Sequence, residues 1–204
     1  MVFHSCDDGV DALGSRLVVD ALYKRYGDAS FSLLPLNNHS GQGGAISYPL
    51  DSNCSILEHE RYATFQARYF LDGIRLSLKQ GLLNPSNVLF GILGINDGLN
   101  KREDILHSAN ISASVYLAQK YSISTASLSI ETHLLNENYI GQIKKILGDV
   151  LDYLETVAHS GNVRVFSYNI VQVENCPSAI EISSTHNYEI NIANTRQIHA
   201  LCNS

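Results

Sequence analysis

The stretch "NVLFGILGINDGLN", residues 87–100, decides the fold. Over 88–95 it is apolar without a polar break. A strand with one wet face alternates polar and apolar residues, whereas a strand buried on both faces does not. The run then stops abruptly at Asn96, Asp97 and Gly98. This is the pattern of a central strand in a parallel sheet, running into a polar loop at its carboxyl end. The run is far too short to span a bilayer.

Working outward from it, strands and helices alternate. "MVFHS" (1–5) and "FSLLPL" (31–36) read as strands on the amino-terminal side, separated by a helix over 14–27. That helix carries Leu17, Val18, Ala21 and Leu22 on one stripe and stops at Gly27. A second helix over 70–81 has Leu71, Ile74, Arg75 and Leu78 at helical spacing, with Gly81 as its cap. Beyond the central strand come a helix over 109–121, a strand over 124–130, a long helix over 138–161 and a strand over 162–173. Two short strands, 179–183 and 188–193, close the pattern. No linker or repeat interrupts it, so one domain over 1–204 is expected. The alternation predicts an α/β fold, a Rossmann-like, mostly parallel sheet flanked by helices.

Composition narrows the function. The chain has 204 residues, 45% hydrophobic and 17% charged, enough for a real core. A net charge of −6 argues against a general DNA or RNA binder. The four cysteines, Cys6, Cys54, Cys176 and Cys202, are scattered without a CxxC pair, which points to free thiols in a reducing, cytoplasmic setting. Acidic residues at 7 and 8 interrupt any leader-like apolar stretch, and no membrane segment is seen.

In open α/β sheets ligands bind at the carboxyl ends of strands. Three polar segments fall there: "CDDG" (6–9), "NNHSG" (37–41) and "GINDGLN" (94–100). They bring Asp7, Asp8, Ser40, Asn96 and Asn100 to one rim, all oxygen donors. Such a set suits one hard divalent cation, Mg²⁺ or Mn²⁺, with Ca²⁺ also compatible. Asp7 and Asp8 cannot face the same way on an extended chain, but a turn at Gly9 brings both, or one plus a bound water, toward a cation. As rim residues they are expected to be exposed and to matter little to the core. Ser108 stands where a helix starts and is a natural N-cap. The free amides and dipole of that helix end favour an anion.

These residues resemble the SurE survival-protein family of metal-dependent nucleotidases and phosphatases. Its N-D-D-G-x-x-A-x-G motif is matched by "CDDGVDALG", its strand and S-G loop by "LLPLNNHSG", and its S-G-I-N-x-G-x-N by "LGINDGLN". Ser108 lies eight residues after Asn100, where the family has S-G-T. The resemblance is clearest over 1–173. It implies that Asp7, Asp8, Ser40 and Asn96 hold the cation, and that Gly41, Asn100, Ser108, Ala109 and Asn110 lie beside a substrate phosphate. The implied reaction is hydrolysis of a nucleoside monophosphate, by a homodimer. Asp7 and Asp8 are the catalytic candidates, Asp7 as the firmer ligand and Asp8 as activator of the nucleophile; His39 and His107 are candidate acids. The chain departs from the family at Cys6 for asparagine, at Leu13 for proline, at "SAN" for S-G-T and in a shorter carboxyl-terminal β region. Cys6 is read as a packing substitution, and Lys101 and Arg102 as a solvated pair. Two other readings compete: a SurE-like protein that binds a nucleotide or phosphometabolite without cleaving it, and a nucleoside hydrolase with its own aspartate cluster.

Overall fold

A computed structural model describes residues 1–101, 105–174, 176–183 and 188–191. A mixed sheet of nine strands forms its centre: β1 (Val2–Ser5), β2 (Ser30–Pro35), β3 (Ser55–Glu58), β4 (Ala63–Gln66), β5 (Phe90–Asp97), β6 (Thr125–Ile130), β7 (Arg164–Val173), β8 (Cys176–Ile182) and β9 (Tyr188–Asn191). The order is β3-β4-β2-β1-β5-β6-β7-β8, with β9 also on β7. The path from β4 to β7 is parallel, while β3, β8 and β9 pair antiparallel at the two edges.

Four helices cover the sheet: α1 (Leu13–Tyr26), α2 (Phe70–Gln80), α3 (Ala109–Tyr121) and α4 (Ile140–His159). α1 and α4 pack on one face. Leu17, Val18 and Leu22 of α1 join Ile143, Leu147, Val150, Leu151, Leu154 and Val157 of α4 in one core cluster. The α4 residues recur every three or four positions, which makes one apolar stripe. Each side chain so buried contributes about 1.5–3 kcal/mol. α2 and α3 cover the other face through Leu71, Ile74, Ala113 and Leu117, packed with Phe3, Leu33 and Leu93. The helices and the strands beyond residue 69 follow the expected pattern, and Gly81 ends α2 in the left-handed conformation. β3 and β4 were not expected.

β5 is buried along its length except at Asp97, as a strand covered on both faces must be. It is not regular, however. Its register on β6 passes from Leu93 opposite Ser127 to Asn96 opposite Ser129, three steps against two. Gly94 sits at this bulge with φ +111°, and a Cβ there would lie 2.2 Å from the Leu128 carbonyl oxygen. α1 comes equally close: a Cβ on Gly14 would lie 2.1 Å from the Ile95 oxygen.

The loop after β2 is fastened to α2. Buried Asp72 accepts from the Ser47 amide (2.9 Å), the Ser47 hydroxyl (2.7 Å) and Arg75 Nη1 (3.0 Å), and Arg75 also donates to the Ser47 carbonyl (2.7 Å). Cys6, Cys54 and Cys176 are free thiols, and Cys202 lies outside the described residues. Among the described residues no helix is long and apolar enough to cross a membrane.

Candidate active site

The loops leaving β1, β2 and β5 meet the start of α3 around a cleft of about 250 Å³. It is lined by Asp7, Ser40, Gly41, Asn96, Asp97, Gly98, Leu99, Asn100, His107 and Ser108. Residues far apart in the chain share this space because parallel strands release their loops on the same side of the sheet.

Asp7 forms its floor. It is not an exposed rim charge, as the sequence suggested, but 1% exposed. Asn110, fully buried on α3, grips it twice: the Asp7 amide donates to Asn110 Oδ1 (3.2 Å), and Asn110 Nδ2 donates to Asp7 Oδ1 (2.5 Å). Burial, and then the neighbouring Asp8 charge, push the Asp7 carboxyl up to about 7, while the Asn110 bond pulls the other way. Asp8 is half-buried beside the cleft. It accepts from the Asp97 amide (2.6 Å) and from Asn38 Nδ2 (3.4 Å), which ties three loops together. Burial raises its carboxyl above the ordinary value, against the Asp97 amide bond. The ligand atoms of Cys6, Asp7 and Asp8 lie within 4.8 Å of one another. The Cys6 thiol is fully buried, faces the Ile95 carbonyl (3.6 Å) and is pushed above its ordinary value by burial, then by Asp7 and Asp8. It is a packing residue beside two hard donors.

The neutral oxygens are arranged around this floor. Ser40 is exposed in a turn that Asn38 closes by accepting from the Ser40 amide (2.7 Å). Asn96 donates its side-chain amide to the Gly98 carbonyl (2.9 Å), so its Oδ1 is the atom left for a ligand. Two carboxylates, a hydroxyl and an amide oxygen fit a hard divalent cation.

At the opposite end, Ser108 caps α3: its Oγ accepts from the Ile111 amide (3.2 Å). The amides of Ala109 and Asn110 open the helix, where no intrahelical acceptor exists. Ala109 is fully buried, and the Asn110 side chain is committed to Asp7. Asn100 is held rigidly: its amide donates to Asn169 Oδ1 (2.8 Å), its carbonyl accepts from Asn169 Nδ2 (3.1 Å), and its own Nδ2 donates to Ser129 (2.5 Å). Asn169 lies on β7, within a strand pattern that carried no sign of a site.

The two histidine candidates separate. His39 turns its ring to Gln42 Oε1 (2.9 Å) and Phe65 and does not line the cleft. His107 lines it and is exposed. The Gly43 amide donates to the His107 carbonyl (3.0 Å), which joins the two rims. Among the described residues no lysine or arginine lines the cleft; Lys101 lies outside the lining, and Arg102 lies outside the described residues.

Comparison with known proteins bears on the family and the fold. The family model of survival protein SurE matches residues 2–201. Among solved structures, the SurE protein from Aquifex aeolicus aligns with a TM-score of 0.67 and 19% identity, over 84% of this chain and 66% of that one. The chain therefore spans just under two thirds of that protein's length, and the likeness is one of fold. No curated protein matches the chain.

Proposed function

The chain belongs to the SurE survival protein family, and from that premise we propose that it is a divalent-metal-dependent phosphomonoester hydrolase acting on nucleoside monophosphates. One observation carries the reading: a single cleft joins a buried carboxylate, Asp7, to the capped amino terminus of α3. The first end suits a cation and the second an anion. A phosphate bridging them needs no lysine or arginine.

Asp7, Asp8, Ser40 and Asn96 would hold one Mg²⁺ or Mn²⁺, with Ca²⁺ also compatible. A cation there supplies charge neutralisation of the phosphoryl group and a water of lowered pKa. Asn110 keeps one Asp7 oxygen fixed. The Ser108 hydroxyl hydrogen and the Ala109 and Asn110 amides grip phosphate oxygens, with Gly41 opposite and Asn100 as a fixed wall. Asp8 takes the proton of the attacking water. His107, the histidine on the cleft, returns a proton to the leaving oxygen. We take the whole of 1–204 as one domain, working as a homodimer in the cytoplasm, where its free thiols stay reduced.

Phosphate release from nucleoside monophosphates is the test. Release with Mn²⁺ and none after chelation is the expected result. The absence of release with tight nucleotide binding would instead support a non-catalytic binding protein. That second reading is favoured by the Asn110 side chain, whose oxygen and amide nitrogen both bond to Asp7.

A further inference from the structure

β5 changes face in mid-strand. Ile92 and Ile95 both enter the core under α1 and α4, although they are three positions apart, while Leu93 enters the opposite core. Side chains alternate with a period of two, so the bulge at Gly94 supplies the extra step. Its consequence reaches Asn96. On a regular strand Asn96 would share the Ile92 face, away from α3; with the bulge it shares the Leu93 face, on the side of Ser108.

A bulge takes backbone groups out of the ladder. The Gly94 carbonyl is met by His4 Nε2 at 2.8 Å, and His4 Nδ1 meets Ser32 Oγ at 3.1 Å. A carbonyl only accepts, so Nε2 carries the proton and Nδ1 accepts from the serine hydroxyl. His4 is fully buried on β1, in register with Ser32 of β2 and Ile92 of β5. One ring thus crosslinks the three adjacent strands that carry Asp7, Ser40 and Asn96 at or just beyond their carboxyl ends.

We propose that His4 is a positioning residue for the cation site, holding the β5 bulge that aims Asn96 into the cleft. This rests on the reading of Asn96 as a cation ligand.

The test is Mn²⁺ titration calorimetry on the full chain, wild type against His4→Asn and His4→Gln, with thermal unfolding of each metal-free protein. The glutamine amide is long enough to reach the Gly94 carbonyl; the asparagine amide is not. His4→Asn should weaken Mn²⁺ binding by about tenfold or more, the usual cost of losing a partner behind a ligand, and His4→Gln by much less. Equal affinity in all three proteins overturns the proposal, as does a loss that tracks the melting temperature in both variants, the mark of a merely structural role. If His4→Asn does not fold, Ser32→Ala replaces it: a severalfold loss of affinity is expected, and an unchanged affinity overturns the proposal. A wild type that binds no Mn²⁺ removes the cation site itself, and with it the proposal; a wild type that binds Mn²⁺ while the variants match it removes the role of His4 alone.

Discussion

Asp7 and His4 are buried titratable groups three residues apart, and they pull stability in opposite directions. In the metal-free protein burial holds Asp7 protonated up to about 7, against an ordinary 3.8. Its raised value gives stability that is present at low pH and lost as pH climbs toward 7. Burial lowers His4 from 6.5 to about 4, so its contribution is complete above 6.5 and lost as pH falls toward 4. Between about 4 and 6.5 the two offset each other. Asp7→Asn removes one arm. The variant should be more stable than the wild type near pH 8, by up to about 4 kcal/mol, with the gain vanishing near pH 4; urea titrations at both ends measure this. The same carboxyl couples cation binding to protons. Mn²⁺ affinity should rise about tenfold per pH unit up to about pH 7 and then level off, with close to one proton released per ion below that point. Calorimetry in buffers of different ionisation enthalpy reads the proton directly. None of this was legible in "CDDG", where two adjacent carboxylates look like surface charges. Burial comes from α3, through Asn110, about a hundred residues away.

At the scale of elements, most of the sheet could be read because buried parallel strands are continuous apolar runs and the helices between them carry stripes. β3 and β4 could not. β3 is an exposed edge of four residues without alternation, and β4 is four residues long and buried at three of them. The bulge in β5 was equally hidden, since an apolar run looks the same with or without an extra residue. The candidate site was legible as a set of loops at strand ends; Asn169 and Asp97 were not, because one sits inside a strand pattern and the other was passed over within a turn. The start of α3 is testable as an element. Ser108→Ala should cost about 1 kcal/mol of stability and Ser108→Gly only a few tenths. If the hydroxyl also holds phosphate, both variants should lose phosphate affinity while keeping Mn²⁺ affinity; glycine binding phosphate like the wild type would leave Ser108 a cap alone. The junction of α1 with β5 is testable too. Gly14→Ala drives a methyl into the Ile95 carbonyl. It should cost about 1–3 kcal/mol, read by chemical denaturation, and weaken Mn²⁺ binding through the adjacent Asn96.

For the whole molecule, the proposed homodimer is checked by light scattering, where a monomer at micromolar concentration would contradict it. The strand order has a further consequence during synthesis. β1 is made first yet ends in the middle of the sheet, between β2 and β5. On a ribosome it can pair with β2 once residue 35 has emerged, but its other flank stays an open edge until β5 follows. Asp7 must wait longer still, for Asn110. A nascent chain arrested before α3 therefore carries the acidic loop without the cleft, and the proposed cation site takes its final shape in one step, when the first turn of α3 docks onto a loop synthesised about a hundred residues earlier.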